Sequence, residues 1–175
     1  MCSVLTHPVV PVALSVFLPR DAVSPGLLLT SAACSIVPDL DVIGFGFGIR
    51  YGDMLGHRGL THSILFAAAL GAFLSLTLFH NGQSNNWVVF LFLFLSTLSH
   101  TLLDMLTNGG LGVALFAPFS NERYFFPWRP IEVSPMGIGA FFSEWGVRVI
   151  SSELRWVWLP SSVLFALGYL ARRYG

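Results

Sequence analysis

The sequence predicts an all-α fold, a polytopic membrane bundle of about four to five apolar helices with an interfacial cap between the last two. Three observations support this prediction: 54% of the residues are hydrophobic, only 10% are charged, and the mean hydropathy is +0.72. The length suits one domain over residues 1–175. All nine basic residues are arginines without a basic tract, so nucleic acid is not an expected partner.

The first two apolar segments are short. Residues 9–18 end at Pro19 and residues 25–37 end at Pro38, whereas a membrane-spanning helix needs about 20 residues. We expect these two segments to form a tight hairpin that reaches only part of the way across the bilayer.

The next two segments are stronger candidates for spanning helices. Residues 59–79 are uncharged, with His80 at their far end, and residues 87–105 carry His100 and Asp104 only in their last turns. A fifth helix is predicted over residues 156–170, with tryptophans at its start and Arg172 and Arg173 after its end, as interfacial anchors would lie. Pro160 predicts a kink near its beginning.

Residues 108–155 differ in composition and are predicted to form the interfacial cap. This stretch carries four arginines and four glutamates among many aromatic residues. Its later part, residues 136–150, is predicted as an amphipathic helix. Arg123 and Arg129 are candidate contacts to a substrate headgroup, and the cap should lie over the candidate site.

Seven polar side chains fall at the same end of the first four segments. If these segments cross the bilayer in turn, all seven meet on one face. A catalytic zinc takes three protein ligands and keeps one position open, so seven side chains suffice for one or two divalent ions. The candidate metal ligands are His7, Asp39, Asp41, His57, His62, His100 and Asp104.

The strongest local signal is the spacing of His100 and Asp104, which stacks them on one helical face. A carboxylate in a membrane segment costs about 2.5 to 3.5 kcal/mol, so it needs a partner, either a metal ion or a hydrogen bond that ties helices together. In the sequence HRGLTHS, His57 should lie on a loop and His62 in a first helical turn. Thr61 and Ser63 are candidates to hydrogen-bond the outer nitrogen of a ligating imidazole or to cap a helix, and Thr6 could orient His7 or cap a helix in the same way.

Two further motifs carry candidate catalytic residues. In PDLD, Asp39 and Asp41 share one side only if the chain is extended there, and a solvated turn is the alternative. Two three-ligand ions leave one side chain over, and Asp41 is a candidate for a catalytic role. The guanidinium of Arg58 suits the oxygens of a phosphate and is predicted to stabilise charge there, with a lipid-facing anchor as the alternative.

The order of TH, PDLD, HRGLTHS and HTLLD followed by TNGG resembles the YdjM-type family of bacterial inner-membrane proteins, described as membrane-bound metal-dependent hydrolases. The resemblance covers residues 6 to about 110. It implies a bacterial inner-membrane location, and signature positions at Thr6, His7, Asp39, Asp41, His57, Arg58, His62, His100 and Asp104. The pattern is also loosely similar to the ligand sets of zinc-dependent phospholipases C.

The sequence therefore predicts a metal-dependent hydrolase acting on an amphiphilic phosphoester, such as a phospholipid or isoprenoid phosphate, that arrives from the surrounding membrane lipids. The alternatives are a metal or proton transporter and a metal-stabilised scaffold. A transporter would place its site near the bilayer midplane, whereas these ligands lie at helix ends. Six arginines fall on the membrane side that carries the predicted ligands, and three fall on the other side. Because positive charge accumulates on the cytoplasmic side, this favours a cytoplasmic site.

Overall fold

The computed structural model describes residues 1–79 and 85–174, and over those residues the chain is helical without a β-sheet. Two isolated β-bridges, between Thr107 and Ile131 and between Val113 and Tyr124, join connecting segments. His80 lies outside the described residues.

The N-terminal hairpin is built from short helices, as the prolines predict. Helix α1 spans Val9–Leu14 and continues as a 3₁₀ turn, and α2 spans Pro25–Cys34 with Ser24 as its N-cap, accepting a hydrogen bond from Leu27 N at 3.1 Å. Pro38 does not end this region. It lies in the first turn of a 3₁₀ helix over Val37–Phe47, where the fixed φ of proline is favourable. The expectation of an extended PDLD segment is therefore wrong.

Helices α3, Ile64–Leu78, and α4, Asn86–Met105, pack along most of their length. The buried face of α3 consists of Ala67, Gly71 and Ser75, which are spaced four residues apart. A Cβ on Gly71 would lie 3.0 Å from the backbone nitrogen of Phe94, so glycine permits this close approach. Small residues at this spacing allow the backbones of membrane helices to pack closely, and this close packing stabilises helix pairs in a bilayer, where the hydrophobic effect does not drive their association.

The C-terminal helices depart from the predicted boundaries. A short α5, Ile138–Phe141, precedes α6, Glu144–Glu153, which runs through a π-helical turn over Leu154–Trp158 into α7, Leu159–Tyr174. The predicted amphipathic helix and fifth apolar helix are thus one continuous rod. Pro160 has no N–H for the preceding turn, and the π turn lies just before it, where such irregularities accommodate a proline.

Over the described residues, the helices run between two ends of a bundle. His7, Ser35 and His100 meet at one end, while Arg172 donates a hydrogen bond to the Leu18 carbonyl at the other, at 2.7 Å. Over the described residues, two helices, Asn86–Met105 and Glu144–Tyr174, are long and apolar enough to cross a membrane, or three if α2 and the following 3₁₀ helix form one bent span. The structure therefore supports a helical membrane protein with two to three candidate spans in the described residues, and it does not confirm the predicted count of four to five apolar helices.

The segment between α4 and α5 lies over the end of the bundle that carries the candidate ligands. Ala114 N donates to the Arg58 carbonyl at 2.8 Å, Phe126 N donates to the Met105 carbonyl at 3.0 Å, and Ser134 N donates to the Met1 carbonyl at 2.9 Å. These backbone bonds fix this segment against the starts and ends of the helices below it.

Candidate metal centre

Four of the predicted ligands converge at the end of α4. His100 and Asp104 lie one turn apart and are fully buried. A 3₁₀ turn over Leu60–His62 brings in His62, and the 3₁₀ helix after α2 brings in Asp39, which is 5% exposed. One ligand atom from each of the four lies within 4.8 Å of all the others.

The spacing of these atoms fits one tetrahedral ion. The two Nε2 atoms of His62 and His100 are 3.0 Å apart, and they lie 3.7 and 3.4 Å from Asp39 Oδ1 and 3.6 and 4.0 Å from Asp104 Oδ2. Ligand atoms held by one tetrahedral zinc at its usual bond lengths are separated by about 3.3–3.6 Å. Two imidazoles and two carboxylates are also a donor set that zinc accepts.

Outer hydrogen bonds orient both imidazoles. His100 Nδ1 lies 2.7 Å from the Ser35 carbonyl oxygen, so Nδ1 carries the proton and Nε2 is left as a ligand atom. His62 Nδ1 lies 3.0 Å from Thr61 Oγ1 and 3.2 Å from Asp41 Oδ2. The Thr61 hydroxyl donates to the same Asp41 oxygen at 2.7 Å. Such carboxylate–imidazole pairs are typical of metal sites.

Two members of the cluster have polar atoms without partners. Among the described residues, both ring nitrogens of His7 and both carboxylate oxygens of Asp39 are buried without a hydrogen bond. His7 stacks on His100 with ring centroids 3.7 Å apart, and burial together with His100 lowers the pKa of His7 to about 3, which keeps the ring neutral. Buried polar atoms nearly always have partners, so these four atoms indicate a missing ligand.

The charges of the cluster point to a cation. Asp39, Asp41 and Asp104 carry three negative charges against the positive charges of Arg58 and of the Met1 amino group, whose nitrogen lies 3.8 Å from Asp104 Oδ1, so one negative charge is left over if the imidazoles are neutral. A buried excess of charge is costly unless it is compensated. A bound cation would offset this excess. Two further ligand groups, Cys2 with His7 and Asp104, and Asp41 with His57 and His62, share members with the first.

Asp41 and His57 form a pair beside the four-ligand group. His57 Nδ1 lies 2.7 Å from Asp41 Oδ1, and both side chains are 1% exposed. The Nε2 side of the same ring meets no hydrogen-bonding partner in the described residues, and His57 lines a small cavity of about 180 Å³. Asp41 therefore contacts two imidazoles, His57 through Oδ1 and His62 through Oδ2. Because of the 3₁₀ conformation, Asp39 and Asp41 face different parts of the cluster.

Arg58 is fully buried and its guanidinium is directed at protein acceptors. Nε donates to Asp104 Oδ2 at 3.0 Å and Nη2 donates to Thr107 Oγ1 at 2.8 Å, while Nη1 donates to the carbonyls of Gly109 and Leu111. Its backbone has a φ of 63°, in the left-handed region that non-glycine residues seldom adopt. Such an outlier persists only where the surroundings hold it.

The remaining predicted residues lie around this centre. Arg123 donates to the backbone carbonyls of His57, Gly112, Tyr51 and Asp53, and Arg129 is exposed, with its guanidinium 4.7 Å from the Phe125 ring centroid. Ser63 caps α3 by accepting from Phe66 N at 3.0 Å. Arg123 thus ties together the loop that carries His57.

Glu153 was missed at the sequence level. It is fully buried in the C-terminal rod and accepts hydrogen bonds from Ser3 N, Ser3 Oγ and Thr6 Oγ1. Trp158 Nε1 in turn donates to Thr6 Oγ1 at 2.8 Å. This network fixes the segment that delivers His7, and Cys2 N beside it donates to Asp104 Oδ1 at 2.9 Å. A lone acid just before an apolar segment was the available signal.

Comparisons with known proteins agree with this arrangement at the level of family. The chain is 41% identical over 176 residues to the inner membrane protein YbcI of Escherichia coli (strain K12), covering 99% of this chain and 100% of that protein. No solved structure matches it. The model of the YdjM inner membrane protein family matches residues 1–175, well beyond the motifs that suggested the resemblance. The chain is therefore a member of the YdjM inner membrane protein family.

Proposed function

We propose that this protein is a membrane-embedded metal-dependent hydrolase that cleaves an amphiphilic phosphoester. The observation that carries the proposal is the buried set of four ligand atoms at tetrahedral spacing. Asp39, His62, His100 and Asp104 would hold a zinc ion, with His7 beside them. Because a catalytic zinc needs a position for water, one of the carboxylates would leave the ion or the ion would accept a fifth ligand. When bound, such an ion acts as a Lewis acid on a phosphoryl oxygen and acidifies water.

The Asp41–His57 pair is the proposed general base. Asp41 holds the Nδ1–H of His57 at 2.7 Å, which leaves Nε2 as the basic nitrogen on the side of the small cavity. A histidine oriented by a carboxylate in this way suits proton transfer near neutral pH. Arg58 would support the reaction through Asp104, which it holds at 3.0 Å, and through its nearby positive charge.

Transport is the alternative that the position of the ligands disfavours. His100 and Asp104 lie in the last six residues of the 20-residue helix α4, although Asp39 follows the bend between α2 and the next 3₁₀ helix. Transporter sites usually lie near the midplane between repeated halves. A metal-stabilised scaffold remains the second alternative, and turnover separates it from an enzyme.

The test is to measure metal content and turnover on the same purified samples. We expect about one zinc per chain and release of phosphate or a phosphorylated headgroup from phospholipids or isoprenoid phosphates in nanodiscs. In His57→Gln, turnover should fall roughly 100-fold or more, the usual contribution of a positioned base, while zinc is retained. Asp53→Asn, an exposed carboxylate paired with Arg50, is the matched control. A zinc-loaded native protein that is inert on every lipid phosphoester would refute the hydrolase proposal.

We also propose that the metal centre faces the cytoplasm. Six arginines lie in the sequence regions at or near the ligand end, whereas Arg20, Arg172 and Arg173 line one cavity at the opposite end. Positive charge accumulates on the cytoplasmic side of inner-membrane proteins. A reporter fused after Gly175 should therefore be periplasmic. An alkaline phosphatase fusion should be active, and a fusion to green fluorescent protein should not fluoresce. The reverse pattern would place the metal centre in the periplasm.

A further inference from the structure

A second cavity, of about 750 Å³, opens beside the metal centre and is bounded by two separate parts of the chain. One wall is the N-terminal segment with the 3₁₀ helix after α2, and the other is the region from Ser134 through α5. Its apolar side chains include Leu5, Val42, Phe45, Met136, Phe141 and Phe142. Its volume lies in the range of ligand pockets, roughly 300–1,000 Å³.

The cavity walls are mostly apolar, and Ser3, Asp39 and Ser134 are the polar side chains among its lining residues. Asp39 lines it, and both oxygens of this carboxylate lack hydrogen-bond partners. Phe142 and Leu5 on the walls are 83% and 64% exposed, which would be unfavourable in water but not in contact with lipid chains. The cavity therefore joins the lipid-facing surface to a proposed metal ligand.

We propose that this cavity holds one hydrocarbon chain of the substrate lipid, with the phosphoester headgroup directed at Asp39 and the metal centre. The inference rests on the proposed function for the identity of the headgroup. Chain binding itself follows from the apolar walls and is measurable without turnover. It would make the enzyme select for an extended hydrocarbon chain. For a ligand taken from water, affinity would rise by up to about fourfold for each buried methylene until the cavity is full, and for one already in the bilayer the gain is smaller because lipid chains are equally apolar.

Two glycines give a matched pair of variants. Gly137 lines the cavity and Gly139, two residues further along the same segment, does not. A Cβ at either position would meet nothing within 4 Å, and neither glycine has a positive φ. Gly137→Trp should therefore add bulk at the cavity wall without a backbone clash, and Gly139→Trp adds the same bulk outside it.

The test is photolabelling in nanodiscs with an n-alkyl phosphate that carries a diazirine near the end of its chain. We expect adducts on the cavity walls in zinc-loaded protein and fewer in zinc-depleted protein, where no cation offsets the carboxylates. Competition by n-alkyl phosphates should strengthen with chain length more steeply in native protein than in Gly137→Trp. Labelling should fall roughly tenfold in Gly137→Trp and stay unchanged in Gly139→Trp. Met136→Glu, which introduces charge at a 60% exposed wall position, should reduce labelling in the same way.

The outcomes separate this inference from the proposed function. Wall labelling that both cavity variants reduce, without any hydrolysis, supports chain binding and refutes the hydrolase. Hydrolysis with wall labelling that is absent, or equal in folded Gly137→Trp, Met136→Glu and Gly139→Trp, refutes the cavity and leaves the hydrolase standing. A chain-length dependence of competition that is equal in native protein and folded Gly137→Trp also refutes it, because the cavity walls would then contribute nothing.

Discussion

Asp39→Asn should lose the bound metal and yet leave the metal-free protein as stable as the native one, or more so. Asp39 contributes one of the four ligand atoms, and both its oxygens are buried without hydrogen-bond partners. The loss of metal affinity should exceed the roughly 10 to 100-fold that follows loss of an outer hydrogen bond. Without metal, the buried carboxylate costs free energy, and removing its charge relieves that cost.

Asp104→Asn makes the opposite prediction for the metal-free protein. It also removes a ligand, but it leaves the buried guanidinium of Arg58 without its carboxylate partner. In the native protein Arg58 Nε donates a hydrogen bond to Asp104 Oδ2 at 3.0 Å. Breaking a buried ion pair costs about 3–5 kcal/mol. The comparison is zinc content and thermal midpoint with and without chelator, using Asp53→Asn as the control. Equal stability of both variants in chelator, or full zinc content in either, would contradict the assignment.

The position of Asp104 beside His100 shows where sequence reasoning was sufficient. His100 and Asp104 are four residues apart on a long apolar helix, so helical geometry alone places them on one face. The structure has both buried at the end of α4. In this case the spacing of two residues in the sequence was enough to predict that they lie together in the folded protein, because a membrane helix has few alternative conformations.

Asp39 and Asp41 show where it was not sufficient. Their spacing was interpreted through an extended chain, but the region is a 3₁₀ helix, and the two carboxylates contact opposite nitrogens of His62. Which oxygen faces which imidazole depends on how two 3₁₀ segments pack, and no local pattern encodes that. All seven predicted ligands lie in three overlapping candidate groups: four in one group, Asp41 and His57 with His62 in a second, and His7 with Cys2 and Asp104 in a third.

The helical rod at the C-terminus was misdivided for a related reason. The composition changes near residue 155, from mixed and charged to apolar, and this change predicted separate elements. The backbone instead continues from Glu144 to Tyr174 through a π turn. Glu153 lies inside that rod and binds Ser3 and Thr6. Such a contact joins residues about 150 positions apart, so composition could not reveal it.

Arg58→Ala should be the most destabilising substitution of a basic residue that we consider, with a loss of about 3–5 kcal/mol. The side chain is fully buried, and its removal leaves Asp104, Thr107 and two backbone carbonyls without their donor. Metal affinity should also fall, by roughly 10 to 100-fold, because Asp104 loses the bond that orients it. Arg50→Ala is the control, since Arg50 is 87% exposed and its ion pair with Asp53 contributes little.

Arg58→Gly separates the backbone from the side chain at this position. It removes the same hydrogen bonds, but glycine adopts a φ of 63° without the penalty that alanine has, about 1 kcal/mol or more. The glycine variant should therefore be more stable than the alanine variant by about that amount. Unfolding of both in detergent, compared with Arg50→Ala, measures the two contributions. If Arg58→Ala unfolds like the Arg50 control, Arg58 does not hold Asp104, and its guanidinium would be free to act as the phosphate contact that its motif first suggested.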